Sequence, residues 1–110
     1  MEERTAKFGE SVINFVSRFK RNEINRPLVS QLVRSATSIG ANYMEANGAS
    51  SKKDFKNKIS ICRKESRETK HWLRMLAVTD TELKSECQQL WKESHELTLI
   101  FSKIIESCSI

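Results

Sequence analysis

Two stretches in the C-terminal half alternate four- and three-residue steps between apolar or small residues without a break, and this narrows the possible folds more than anything else in the chain. In the first, Phe55, Ile59, Cys62, Ser66, Thr69, Leu73 and Leu76 follow one another; in the second, Leu83, Cys87, Leu90, Ser94, Leu97, Phe101, Ile104 and Cys108 do the same. Steps of four and three return each residue to one side of an α-helix. A seam with that spacing packs against partners lying nearly parallel or antiparallel. About 25 residues at roughly 1.5 Å each give each helix a length near 37 Å. Ser51-Lys52-Lys53-Asp54 has the Ser-x-x-acid spacing of a capping box and marks the start of the first of these helices, while Asp80 or Thr81 is placed to cap the second.

The N-terminal half carries two further helical patterns. Phe8, Val12, Phe15, Val16 and Phe19 share one face of a helix expected over about Glu3 to Lys20. After Arg21-Asn22-Glu23-Ile24, Asn25 is expected to cap a helix that holds Pro27 in its first turn and runs through about Ala46. Asn47-Gly48 should end it with a left-handed backbone. This second helix is rich in small residues (Ser35, Ala36, Ser38, Gly40 and Ala41), so it should approach its neighbours closely and be the most enclosed of the four. Its polar stripe of Gln31, Ser35, Ser38, Asn42 and Glu45 is either a network between helices or a ligand site, because buried polar groups need partners. With only three glycines and one proline in 110 residues, little of the chain is left for turns. The expected fold is therefore all-α, an up-and-down antiparallel four-helix bundle, with residues 1–110 as one domain.

Charge is distributed unevenly along this framework. Residues 1–47 carry seven cations against five anions, 48–78 nine against three, and 79–110 three against six, giving +2, +6 and −3 within a total of +5. Such asymmetry suits an acidic partner, or contacts in which the basic surface of one copy meets the acidic surface of another. On the third helix the cations gather on one flank: Lys56, Arg63, Lys64, Arg67, Lys70 and Arg74, continuous with Lys52 and Lys53. No carboxylate or aromatic residue stands among them. They form either a solvated face or a phosphate-binding surface. The other flank carries Lys58, Ile61, Glu65, Glu68, Trp72 and Met75. Ile61, Trp72 and Met75 fall outside the seam, as do Trp91, Leu99, Ile100 and Ile105 on the fourth helix, so these apolar groups either widen the core or face another subunit. Ile61, Trp72, Met75, Trp91 and Ile105 are the candidate oligomer contacts.

Chemistry finds little foothold. His71 and His95 lack the spacing that puts two metal ligands on one helix face, and Glu68-x-x-His71 has no second copy to complete a di-iron set. Phosphate loops, nucleophile elbows and dinucleotide fingerprints are absent from the sequence. No catalytic residue, metal ligand or cofactor site is expected. Cys62, Cys87 and Cys108 are odd in number and form no C-x-x-C pair, which fits reduced thiols in a cytoplasmic protein. No apolar run approaches the roughly 20 residues needed to span a bilayer, and the first residues lack the apolar core of a secretion signal, so no membrane partner is expected.

Several runs resemble a known family. Gln31-Leu32-Val33-Arg34-Ser35-Ala36-Thr37-Ser38-Ile39-Gly40-Ala41-Asn42, followed by Glu45-Ala46, is similar to the second-helix signature of the 23S rRNA intervening-sequence, or four-helix-bundle, protein family. Lys53-Asp54-Phe55, Lys58-Ile59-Ser60-Ile61, Lys64-Glu65, Arg67-Glu68-Thr69 and Trp72-Leu73-Arg74 resemble its middle signature, and Glu96-Leu97 with Ile100-Phe101 its last. At Cys62, Ser66 and Thr69 the chain departs from the family by placing small or polar groups where alanine or leucine is usual. The resemblance implies an up-and-down bundle that assembles as a homopentamer. It also implies kinship with the accessory protein of diversity-generating retroelements, and no established enzyme activity. The expected function is an oligomeric module that binds RNA or DNA by phosphate contact through Lys52, Lys53, Lys56, Arg63, Lys64, Arg67, Lys70 and Arg74. The alternative is a protein-interaction scaffold or accessory subunit with no direct nucleic-acid contact.

Overall fold

The computed structural model describes residues 1–108. Four helices form in chain order: α1 (Glu2–Val16), α2 (Asn25–Asn47), α3 (Lys52–Thr79) and α4 (Lys84–Ser107), with a 3-10 turn, Thr81–Leu83, leading into α4. They lie up and down in a rod about 46 Å long and 21 by 19 Å across. The seam of α3 closes as its spacing requires: Ile59, Cys62, Ser66, Thr69, Leu73 and Leu76 are all buried. On α4, Cys87, Ser94, Leu97 and Phe101 are buried, and Leu90 and Ile104 pack against the same core. Val12, Leu32, Ile39 and Phe101 join it from three helices.

The small polar seam residues form a hydrogen-bonded layer across the middle of the rod. Thr69 Oγ1 donates to Ser35 Oγ at 2.9 Å and lies 2.8 Å from the Glu65 carbonyl, linking α3 to α2. Ser66 and Thr98 share a hydroxyl bond of 2.7 Å, and Ser94 Oγ donates to the Ser66 carbonyl at 2.8 Å, linking α3 to α4. Cys62 Sγ reaches the Ile39 carbonyl at 3.5 Å. At Cys62, Ser66 and Thr69 the α3 seam thus makes directed bonds. Of the polar stripe on α2, Ser35 and Glu45 bond across to α3, while Ser38 and Asn42 bond back within α2.

Four local expectations need correction. α1 ends at Val16 rather than continuing to Lys20. Arg18 and Phe19 tighten onto the carbonyls of Phe15 and Val16, and Arg21 Nη1 donates to the carbonyls of Val16 (2.8 Å) and Phe19 (2.9 Å). That cation satisfies acceptors a helix end leaves open, and the turn folds Phe19 edge-on against Phe15 at 5.2 Å. The cap of α2 is Asn22 rather than Asn25 acting alone. Asn22 Oδ1 accepts from the Ile24 and Asn25 amides, while Asn25 Oδ1 accepts from the Asn22 amide, a reciprocal arrangement like a capping box. Gly48 has φ −98°, not a left-handed backbone, because amides 48 and 49 close 3-10 bonds to Glu45 and Ala46. Finally, α3 rather than α2 is the most enclosed helix: it packs along both α2 and α4, while α2 leaves Thr37, Ala41 and Met44 exposed and α1 only skirts α4. Ser51 does cap α3, accepting from the Asp54 amide at 3.0 Å.

Candidate nucleic-acid interface

The two flanks of α3 meet different neighbours. Glu65 and Glu68 turn toward α2, where Arg34 bonds both, at 2.7 and 3.0 Å. Glu65 is only 5% exposed, so this guanidinium supplies the counter-charge that its burial requires. On the same side Lys58 bonds Glu45 at 2.8 Å, which pushes its ammonium pKa up. The acidic side of α4 is met by α1. Arg4 forks onto Glu93 through two 2.8 Å bonds and reaches Glu96 as well, and Arg18 pairs with Glu86. The hydrogen bond from Arg4 holds the Glu93 carboxyl below the usual carboxylate range and raises the Arg4 pKa further. Three of the six carboxylates in the acidic C-terminal third, Glu86, Glu93 and Glu96, thus find cations inside the chain.

This internal pairing bypasses the other flank of α3. Among the described residues, Lys52, Lys53, Lys56, Arg63, Arg67 and Arg74 enter no ion pair, and Lys64 comes only within 3.9 Å of Glu65. From Lys52 to Arg74 the stripe spans about 33 Å at the helical rise of ~1.5 Å per residue. Lys70 is the exception. Its Nζ lies 3.1 Å from His95 Nδ1 on α4 and 5.3 Å from the centre of the Trp91 ring, and burial together with nearby Arg67 lowers its pKa.

An aromatic group therefore does stand beside the cations, contrary to expectation. It comes from α4: Trp91 is 37% exposed and stacks on His95 with ring centres 5.1 Å apart and planes 15° apart. Periodicity places Trp91 one step round from the Cys87–Ser94 seam, but which neighbour that step faces depends on the hand of the bundle, which spacing does not encode.

The five candidate oligomer contacts do not form one patch. Trp91 borders the basic flank. Trp72 and Ile105 are half-buried and pack against the monomer's own core, and Ile61 and Met75 are half-buried on α3. The Trp72 indole nitrogen is buried without a hydrogen-bond partner among the described residues. A different apolar surface lies elsewhere: Ile13 and Met44 are exposed over a groove of about 320 Å³ between α1 and α2, floored by Gly9 and Gly40. Among the described residues no cluster of three His, Cys, Asp or Glu side chains is placed to hold a metal, and no helix is long and apolar enough to cross a membrane.

Comparison with known proteins agrees with this architecture. In the crystal structure of a protein of unknown function from the S23 ribosomal protein family of Bacteroides thetaiotaomicron, a chain 32% identical in sequence superposes with a TM-score of 0.82, covering 94% of this chain and 96% of that one. No curated protein matches. The family model described as 23S rRNA-intervening sequence protein matches residues 2–103, and the chain belongs to that family.

Proposed function

We propose that this protein is a non-enzymatic, oligomeric nucleic-acid-binding module that holds RNA or DNA by its phosphates along the outer flank of α3. One observation carries the proposal: six cations without ion-pair partners among the described residues line a stripe on α3, while Glu45, Glu65, Glu68, Glu86, Glu93 and Glu96 are taken up by Arg4, Arg18, Arg34 and Lys58. A polyanion supplies the charge this stripe lacks. Self-association, which the family resemblance gives as a homopentamer, belongs to the same proposal. Copies of the stripe on one assembly would add weak contacts into a firm one.

The direct test is the salt dependence of binding to mixed-sequence RNA and DNA followed by fluorescence anisotropy, with light scattering to report assembly. Six phosphate contacts on a single strand give a slope of log affinity against log salt of about −4. A slope near zero, or no binding at low salt, overturns the proposal. The exposed Ile13 and Met44 groove would then favour the second reading, a protein-interaction scaffold or accessory subunit, since an apolar interface is less sensitive to salt.

A further inference from the structure

Where the basic stripe ends, between the C-terminal part of α3 and the N-terminal part of α4, lies a groove of about 540 Å³. Leu73, Ala77, Val78 and Cys87 line its apolar walls, Arg74 and Lys84 stand among its lining residues, and Trp91 closes one end. Val78, on one wall, is 78% exposed. The indole of Trp91 is braced. His95, which follows it by one helical turn, stacks on one face, and Lys70 approaches on that same side through its contact with His95. Lys84, Cys87 and Gln88 precede Trp91 on α4 and line the groove together with it. Arg74 is both the last cation of the stripe and part of the groove wall. Neither Arg74 nor Lys84 is ion-paired among the described residues.

We infer that this groove is a base slot, which takes one unpaired nucleobase of a single-stranded RNA or DNA whose phosphates follow the α3 stripe. The inference rests on the proposed phosphate binding and adds strand selectivity to it. A planar base fits an apolar groove closed by a braced indole, and the cations at its rim match the phosphates on either side of that base. A base in a duplex is stacked and paired and cannot enter. Arg74 sets the register, since it belongs to both surfaces.

The test compares three probes of equal length by anisotropy: a mixed-sequence single strand, the same backbone without bases, and a duplex. Parent protein is expected to bind the base-bearing strand about fivefold to a hundredfold more tightly than the abasic strand, the range of one base–aromatic stack. Trp91→Leu keeps apolar cover over the groove but removes the extended ring, so it should erase that preference. Trp91→Phe should retain part of it. Equal affinity of the parent for base-bearing and abasic strands overturns the slot while leaving phosphate binding intact, and so does Trp91→Leu binding like the parent. Failure to bind any probe overturns both. A change in oligomer size in Trp91→Leu identifies the groove as a contact between copies and overturns the slot as well.

Discussion

The buried hydroxyl pair between α2 and α3 allows a stability prediction with a worked magnitude. Thr69→Val keeps the shape of the side chain and removes the bond to Ser35 Oγ, 2.9 Å long and fully buried. Ser35 keeps a bond to the Leu32 carbonyl at 3.2 Å, so no donor is orphaned. The expected cost is then that of one net hydrogen bond, about 1 kcal/mol. Ser35→Ala removes the acceptor and leaves Thr69 its bond to the Glu65 carbonyl, with a similar cost of about 1 kcal/mol. When both are replaced, no polar atom of the pair remains to be desolvated, so the double variant should lose about 1 kcal/mol rather than about 2, a coupling near 1 kcal/mol. Urea unfolding followed by far-UV circular dichroism reads these values, at one fixed protein concentration because assembly shifts apparent stability. Additive losses in the double variant, or single variants as stable as the parent, would refute the role given to the polar layer in joining α2 to α3.

Three further outcomes follow from local geometry. Gly48→Ala should be neutral or stabilising by up to about 1 kcal/mol, because φ is −98° and an added Cβ meets nothing closer than the Glu45 carbonyl at 3.8 Å; a loss beyond about 1 kcal/mol in urea would restore the left-handed turn. The depressed Glu93 carboxyl adds stability that is present above the usual carboxylate range and lost as pH falls through its lowered pKa. Glu93→Gln should therefore flatten the acid limb of a stability–pH profile, and an unchanged limb would refute the Arg4 fork. Burial pushes the Cys62 thiol up to about 12 and Cys87 up to about 11, so near neutral pH an alkylating reagent should label half-buried Cys108 first and the other two only on unfolding; rapid labelling of all three would contradict the core.

What was legible in the sequence is what repeats. The α3 and α4 seams specify which residues go inside, because a four-and-three alternation fixes a face regardless of what lies opposite, and Ser51 announces its helix because its cap is a bond to the amide three residues on. Features set by the path of a turn or by which helices meet were not legible. Arg21 halting α1, Asn22 and Asn25 bonding each other, and Arg34 holding Glu65 and Glu68 all depend on where the chain turns. The basic flank of α3 could be read, since its members lie on one helix. Its relation to Trp91 and His95 could not, since periodicity gives the faces of a helix and not the neighbour each face meets. The candidate oligomer contacts illustrate the same limit: spacing marks Trp72 and Ile105 as lying outside the seam, and that both pack partly against the monomer's own core is set by the neighbouring helices.

The central claim is that the unpaired stripe on α3 holds nucleic acid, and charge reversal within it is the most direct measurement. Lys56, Arg63 and Arg67 are the residues to replace together by glutamate, leaving Lys70 in place because its ammonium is held against His95 and Trp91. All three lie on the flank away from the Arg34 and Lys58 ion pairs, so the bundle itself should not change. The variant should lose binding to mixed-sequence RNA and DNA at low salt while keeping the helicity and oligomer size of the parent. A variant that binds both as tightly as the parent would show that the stripe is a solvated face and that nucleic acid is not held there.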